Sequence, residues 1–158
     1  MPKRPRKRKP KIEYQSFYFA IERSWPRYSF SLESRKFSDR LYHEHLELVV
    51  RGSCLSPTKF RGLQCEMTFL GERKMDEQEV DPREPDRLPL CIGMLDIRKE
   101  QAKFLGSLPQ DVLWPLENAI GRKTIRIIDF FGEKLTRGSS RIRRVHFDPT
   151  YDTDDMID

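Results

Sequence analysis

A single, mainly β domain is the fold class this sequence predicts: an antiparallel β-sandwich or partly open barrel of about seven strands, with one helix around 107–120. Three observations lead there. Apolar residues recur at every second position in several short runs, turn chemistry separates those runs, and only one stretch has four-residue apolar spacing. A mixed α+β fold is the alternative if Ser34–Tyr42 or Lys99–Leu105 is helical. The 158-residue length fits one domain. A body over 13–147 is expected between a disordered basic arm, 1–12, and an acidic tail, 148–158.

The elements follow in chain order. Phe17, Phe19 and Ile21 share one face of a first strand, with Tyr14, Tyr18 and Ala20 opposite. Arg23–Pro26 reads as a turn. Tyr28, Phe30 and Leu32 then alternate with Ser29, Ser31 and Glu33, which predicts a strand with one buried and one wet face. After a polar connection, Glu44–Cys54 buries Leu46, Leu48 and Val50, and Gly52 marks a bulge or close backbone approach. Ser56–Gly62 is turn chemistry, a short helical turn opened by Pro57 and closed by Gly62.

Leu63, Cys65, Met67 and Phe69 form the inward face of the next strand. Glu72–Arg87 is too polar and too long for a hairpin loop and is expected to be mobile. Leu88–Ile97 suits a central strand, with Pro89 limiting pairing near its start. Ser107 with Gln110 forms a capping-box pattern, and Leu108, Val112, Leu116 and Ile120 fall on one helix face. Pro115 leaves a kinked helix or two short pieces open. Thr124–Phe131 and Ser140–Phe147 complete the strands.

Charge is sorted into blocks. Residues 1–12 carry Lys3, Arg4, Arg6, Lys7, Arg8, Lys9 and Lys11 with no acid. Residues 121–147 carry Arg122, Lys123, Arg126, Lys134, Arg137, Arg141, Arg143 and Arg144 against Asp129 and Glu133. Five aspartates follow from Asp148 onward, and the whole chain nets +5. Such segregation concerns partners rather than fold. If the last two strands pair, Arg122, Lys123, Arg126, Arg141, Arg143 and Arg144, with Arg137, make a positive strip. Simple alternation puts Arg141 and Arg143 on the parity of Val145 and Phe147, so only part of the set shares a face. The acidic tail can fold back on those strands as a competitor for an anionic partner.

The leading functional expectation is a non-enzymatic binding module. Its basic arm and basic C-terminal strands engage an anionic partner, nucleic acid first, with phosphate-dominated and salt-sensitive binding. The alternative is a protein–protein adaptor or inhibitor that meets an acidic protein surface. A metal-dependent enzyme is a distant third, resting on His43 and His45, which share one face of a strand, with His146 as a remote third ligand. No catalytic residue, cofactor or small-molecule substrate is indicated. Gly52-Ser53 and Gly138-Ser139 read as turns rather than hydrolase or phosphate-loop elements.

Cys54, Cys65 and Cys91 form no close pair. They read as buried packing in a reducing compartment, cytoplasmic or, in a eukaryotic host, nuclear. No apolar run approaches a membrane span, and no secretory signal is evident.

Overall fold

The computed structural model describes residues 10–32, 42–73, 83 and 91–150. Seven strands occur in the order β1 (Tyr14–Leu32), β2 (Tyr42–Ser56), β3 (Gln64–Glu72), β4 (Gly93–Ile97), β5 (Ala102–Pro109), β6 (Ile127–Glu133) and β7 (Ser139–Asp148). A 3-10 turn, Thr58–Phe60, precedes β3, and helix α1 (Gln110–Gly121) joins β5 to β6. The strands close into a barrel in the order β1-β2-β3-β5-β4-β7-β6. The sandwich or partly open barrel expected from sequence is thus a closed barrel. It is also mixed, because β3 and β5 run parallel while every other neighbouring pair is antiparallel. A closed ring with an odd number of strands cannot alternate direction throughout, so seven strands require at least one parallel neighbour. Lys99–Leu105, the possible helix of the α+β alternative, instead leads into β5. Most of Ser34–Tyr42 and of Glu72–Arg87 lies outside the described residues.

The register defines two ends. At the lower end sit the start of β1, the end of β2, the β4–β5 turn and the β6–β7 turn. At the upper end, β1 and β2 run on past the other strands as a two-stranded arm, from Tyr28 opposite Leu46 to Leu32 opposite Tyr42. Helix α1 packs on β1, β2, β3 and β5 at this end and buries Leu113 and Ile120. The expected start at Ser107 is corrected: Ser107 stays in β5, where its hydroxyl donates to Glu72 at 2.9 Å. Pro109 precedes the first turn without a side-chain cap. Pro115 lies inside one continuous helix.

The barrel interior is packed solid. Phe17, Phe19, Met67, Phe69, Leu95, Phe104, Ile128, Phe130 and Ile142 are fully buried. The Phe104 and Phe130 centroids lie 4.4 Å apart, and Phe69 is 5.2 Å from Phe104. Such rings bury ~150–250 Å² each and supply most of the driving force for this core. Gly106 is required here, because a Cβ would strike the Phe104 ring. Gly52 marks the close approach expected of it: a Cβ would meet the Ala20 carbonyl.

Two of the three register shifts in the barrel explain where simple alternation misplaces residues. Arg23–Pro26 is not a turn but part of an unbroken β1. Ile21 faces Gly52 and Arg23 faces Arg51, so Glu22 is one extra residue and the inward parity switches from odd to even. After that switch Tyr28, Phe30 and Leu32 do share a face, as alternation requires. They lie on the protruding arm, however, and are exposed rather than buried. No described helix is long and apolar enough to cross a membrane.

Candidate anionic-partner interface

The outer surface of β1, β6 and β7 at the lower end gathers the aromatic and cationic residues. β1 sets Tyr14 opposite Glu133, Ser16 opposite Phe131 and Tyr18 opposite Asp129. β7 then sets Arg144 opposite Phe131 and His146 opposite Asp129. Gly132 faces Ile142, so Arg143 is the extra residue of a further bulge. The bulge turns Arg143 and Arg144 both outward while Ile142, Val145 and Phe147 keep contact with the core. The parity read from simple alternation is therefore corrected: Arg141 and Arg143 face away from the side that packs Val145 and Phe147.

These side chains touch one another. The Tyr14 and Phe131 rings stack with centroids 5.5 Å apart and planes 18° apart. The Arg143 guanidinium lies 5.8 Å from the Tyr14 centroid and donates to its hydroxyl at 2.9 Å. The Arg144 guanidinium lies 5.0 Å from the Phe131 centroid. A groove of about 470 Å³ lies beside them, and its lining includes Tyr14, Ser16, Tyr18, Phe131, Pro57 and Lys59. Lys134 borders the groove and pairs with Glu13 at 2.8 Å. That hydrogen bond and the opposite charge hold the Glu13 carboxyl below its ordinary range and the Lys134 ammonium above its own. Both are fully exposed, so the pair is weak and salt-screened. Lys11, the last cation of the basic arm, lies exposed just before it.

Not every arginine here is available for a partner. Arg141 pairs with Glu133 at 3.3 Å, and Arg144 pairs with Asp129 at 3.3 Å. Asp129 is buried, and its Oδ1 has no hydrogen-bond partner. Burial pushes its carboxyl up from the ordinary value, with Arg144 and His146 pulling the other way. Arg143, by contrast, has no carboxylate partner among the described residues and is exposed.

The remaining predicted cations lie elsewhere. Arg122, Lys123 and Arg126 are not on a strand, because β6 begins at Ile127; they occupy the connection after α1 at the upper end. The Arg122 and Lys123 amides donate to the Asn118 and Ile120 carbonyls, so these residues close the helix. Their positive charge complements the negative end of the helix dipole. A cleft of about 640 Å³ there holds Arg23, Lys123 and Arg126, but Glu22 and Glu117 line it too. The seven residues of β6 separate this group from the lower end, a span of roughly 20 Å at ~3.3 Å per residue. Arg137 is at the lower end, in the β6–β7 turn, where its carbonyl accepts from Arg98. Lys3, Arg4, Arg6, Lys7, Arg8 and Lys9 lie outside the described residues. Asp148 belongs to β7, and the acidic tail from Tyr151 onward is also outside them.

The structure thus brings Arg141, Arg143 and Arg144 together near Arg137 and the root of the arm, and places Arg122, Lys123 and Arg126 at the opposite end. Phe131, Lys59 and Lys134 join the first group although sequence reasoning did not select them, and so does Tyr14, an aromatic that could stack on bases but reads more simply as core. Their signal was cross-strand register, which a linear reading does not contain.

His43 and His45 lie on the arm, where His45 Nε2 is 3.1 Å from Glu47. His146 pairs across β6 with Asp129 and not with them. Among the described residues no group of three or more His, Cys, Asp and Glu is placed to hold a metal ion. Cys54 and Cys65 are core residues, and burial pushes the Cys54 thiol up to about 11 and Cys65 higher still. Cys91 is half-buried. Searches with this chain found no matching protein family, no matching curated protein and no matching solved structure.

Proposed function

We propose that this protein is a non-enzymatic module that binds nucleic acid, with single strands preferred, along the outer face of β1, β6 and β7 and through the basic arm. One observation carries the reading. At the root of a seven-cation segment, the bulge at Arg143 and Arg144 sets two guanidinium groups over a stacked pair of aromatic rings beside an open groove. Cations that track phosphates, next to π-faces on which bases stack, are the two ingredients of sequence-tolerant single-strand binding. The groove follows a strand surface, and among the described residues no helix lines it.

Copurification tests this reading. Protein purified at low salt should carry material absorbing at 260 nm, which nuclease with a high-salt wash removes. Preparations free of such material, joined to a specific protein partner that survives nuclease treatment, would support the adaptor reading instead.

A further inference from the structure

The arm carries an apolar face that nothing in the described structure covers. Tyr28 is 53% exposed, Phe30 59%, Leu32 74% and Tyr42 53%, and Trp114 of α1 is 45% exposed. The patch is continuous: Phe30 stacks on Tyr42 at 5.3 Å, and Tyr28 lies 6.5 Å from Trp114. The register places Tyr28, Phe30, Leu32 and Tyr42 on the same face of the ribbon as Leu46, which is in the core. The arm therefore extends the barrel's inner face into solvent.

We propose that a second copy of this chain covers that face, the two arms packing face to face about a two-fold axis. Three considerations select this occupant. The first is area: at ~200 Å² for each large side chain, the printed exposures leave on the order of 550 Å² open. Two copies would together bury about 1,100 Å², just above the ~1,000 Å² that a biological interface should clear. The second is charge. The carboxylate on this face, Glu44 opposite Phe30, is already engaged: Arg73 pairs with it and the Tyr28 hydroxyl donates to it at 3.3 Å. A rim balanced in this way neither repels an identical surface nor selects an anion. The third is the edge. Pro26 stands where β1 has β2 as its single partner, and a residue without an amide hydrogen interrupts edge pairing. Packing through the aromatic face is the route that buries the patch, and a face that meets its own copy is self-complementary by symmetry.

Sedimentation equilibrium of the full chain from about 1 to 100 μM tests the proposal. Wild type should move from 18.9 kDa toward twice that mass. Phe30→Asp and, separately, Leu32→Lys should weaken association about 30-fold or more. Because both side chains are exposed in the single chain, their circular dichroism and melting at low concentration should match wild type. Arg143→Ala should leave association unchanged, since Arg143 lies on the outer face at the other end. A wild type that stays monomeric at 100 μM would overturn the proposal. So would a dimer whose mass neither variant alters.

Discussion

Asp129 and Arg143 show how one register decides what a charge can do. Both are on the outer surface, yet the first is buried under its neighbours and the second is open. Burial raises the Asp129 carboxyl above its ordinary value of 3.8. The folded protein then keeps a proton that the unfolded chain has already released, so this group favours folding most in acid. Its contribution falls as pH rises through the window between the ordinary and the raised value. Asp129→Asn should flatten that fall, and melts at rising pH from the ordinary carboxylate range upward should show the variant gaining on wild type. Wild type gaining on the variant instead would mean that the Arg144 pair outweighs burial. At Arg143 the expectation concerns binding: Arg143→Ala should weaken single-strand affinity and leave the melting temperature within a degree or two, as for surface substitutions of ~0.5 kcal/mol or less. Removal of a core ring acts the other way. Phe130→Ala, which strips contacts with Phe19, Phe69 and Phe104, should cost about 3–5 kcal/mol in denaturant melts.

At the scale of elements, the bulges mark what was legible in the sequence and what was not. Strand content, the single helix, the Pro57–Gly62 turn and the inward sets Phe17/Phe19 and Cys65/Met67/Phe69 all follow from period-two patterning and turn chemistry. Barrel closure does not, because it depends on which edges meet. The arm could not be foreseen either: Tyr28, Phe30 and Leu32 alternate as a buried face does, and alternation cannot report that β1 has outrun its neighbours. Insertion of Glu22 and of Arg143 resets parity within a strand, which a linear reading takes for a turn or a wrong face. That account makes a prediction about deletions. Removing Arg143 leaves Ile142, Val145 and Phe147 on their present sides, so the chain should melt cooperatively and lose affinity much as Arg143→Ala does. Deleting Val145 also removes the extra residue and keeps Phe147 inward, but it puts Arg144 in the inward place of Val145, so the chain should be strongly destabilised. Equal tolerance of the two deletions would contradict the bulge assignment.

For the whole molecule, the barrel acts as a rigid spacer between two unlike ends. Aromatic side chains pack the interior, and the candidate binding residues lie on the outside. The helix-capped end carries the apolar arm, and the lower end carries the arginine–aromatic face at the root of the basic segment. Arg122 and Lys123, which seemed from sequence to belong to one strip with Arg126, close α1, and Arg126 immediately precedes β6 at the same end. The Arg143 face is what makes nucleic acid the expected partner.

The most direct measurement is the affinity of a fluorescent single-stranded oligonucleotide for the full chain across a salt series, with wild type, Arg143→Ala and a chain lacking residues 1–12. Wild type should bind more weakly as salt rises, with log affinity linear in log salt, and Arg143→Ala should lower the slope by about 0.7 if it removes one phosphate contact. Removing the arm should lower it by several such steps. Undetectable binding at about 50 mM salt, or a slope that neither change alters, would contradict the account.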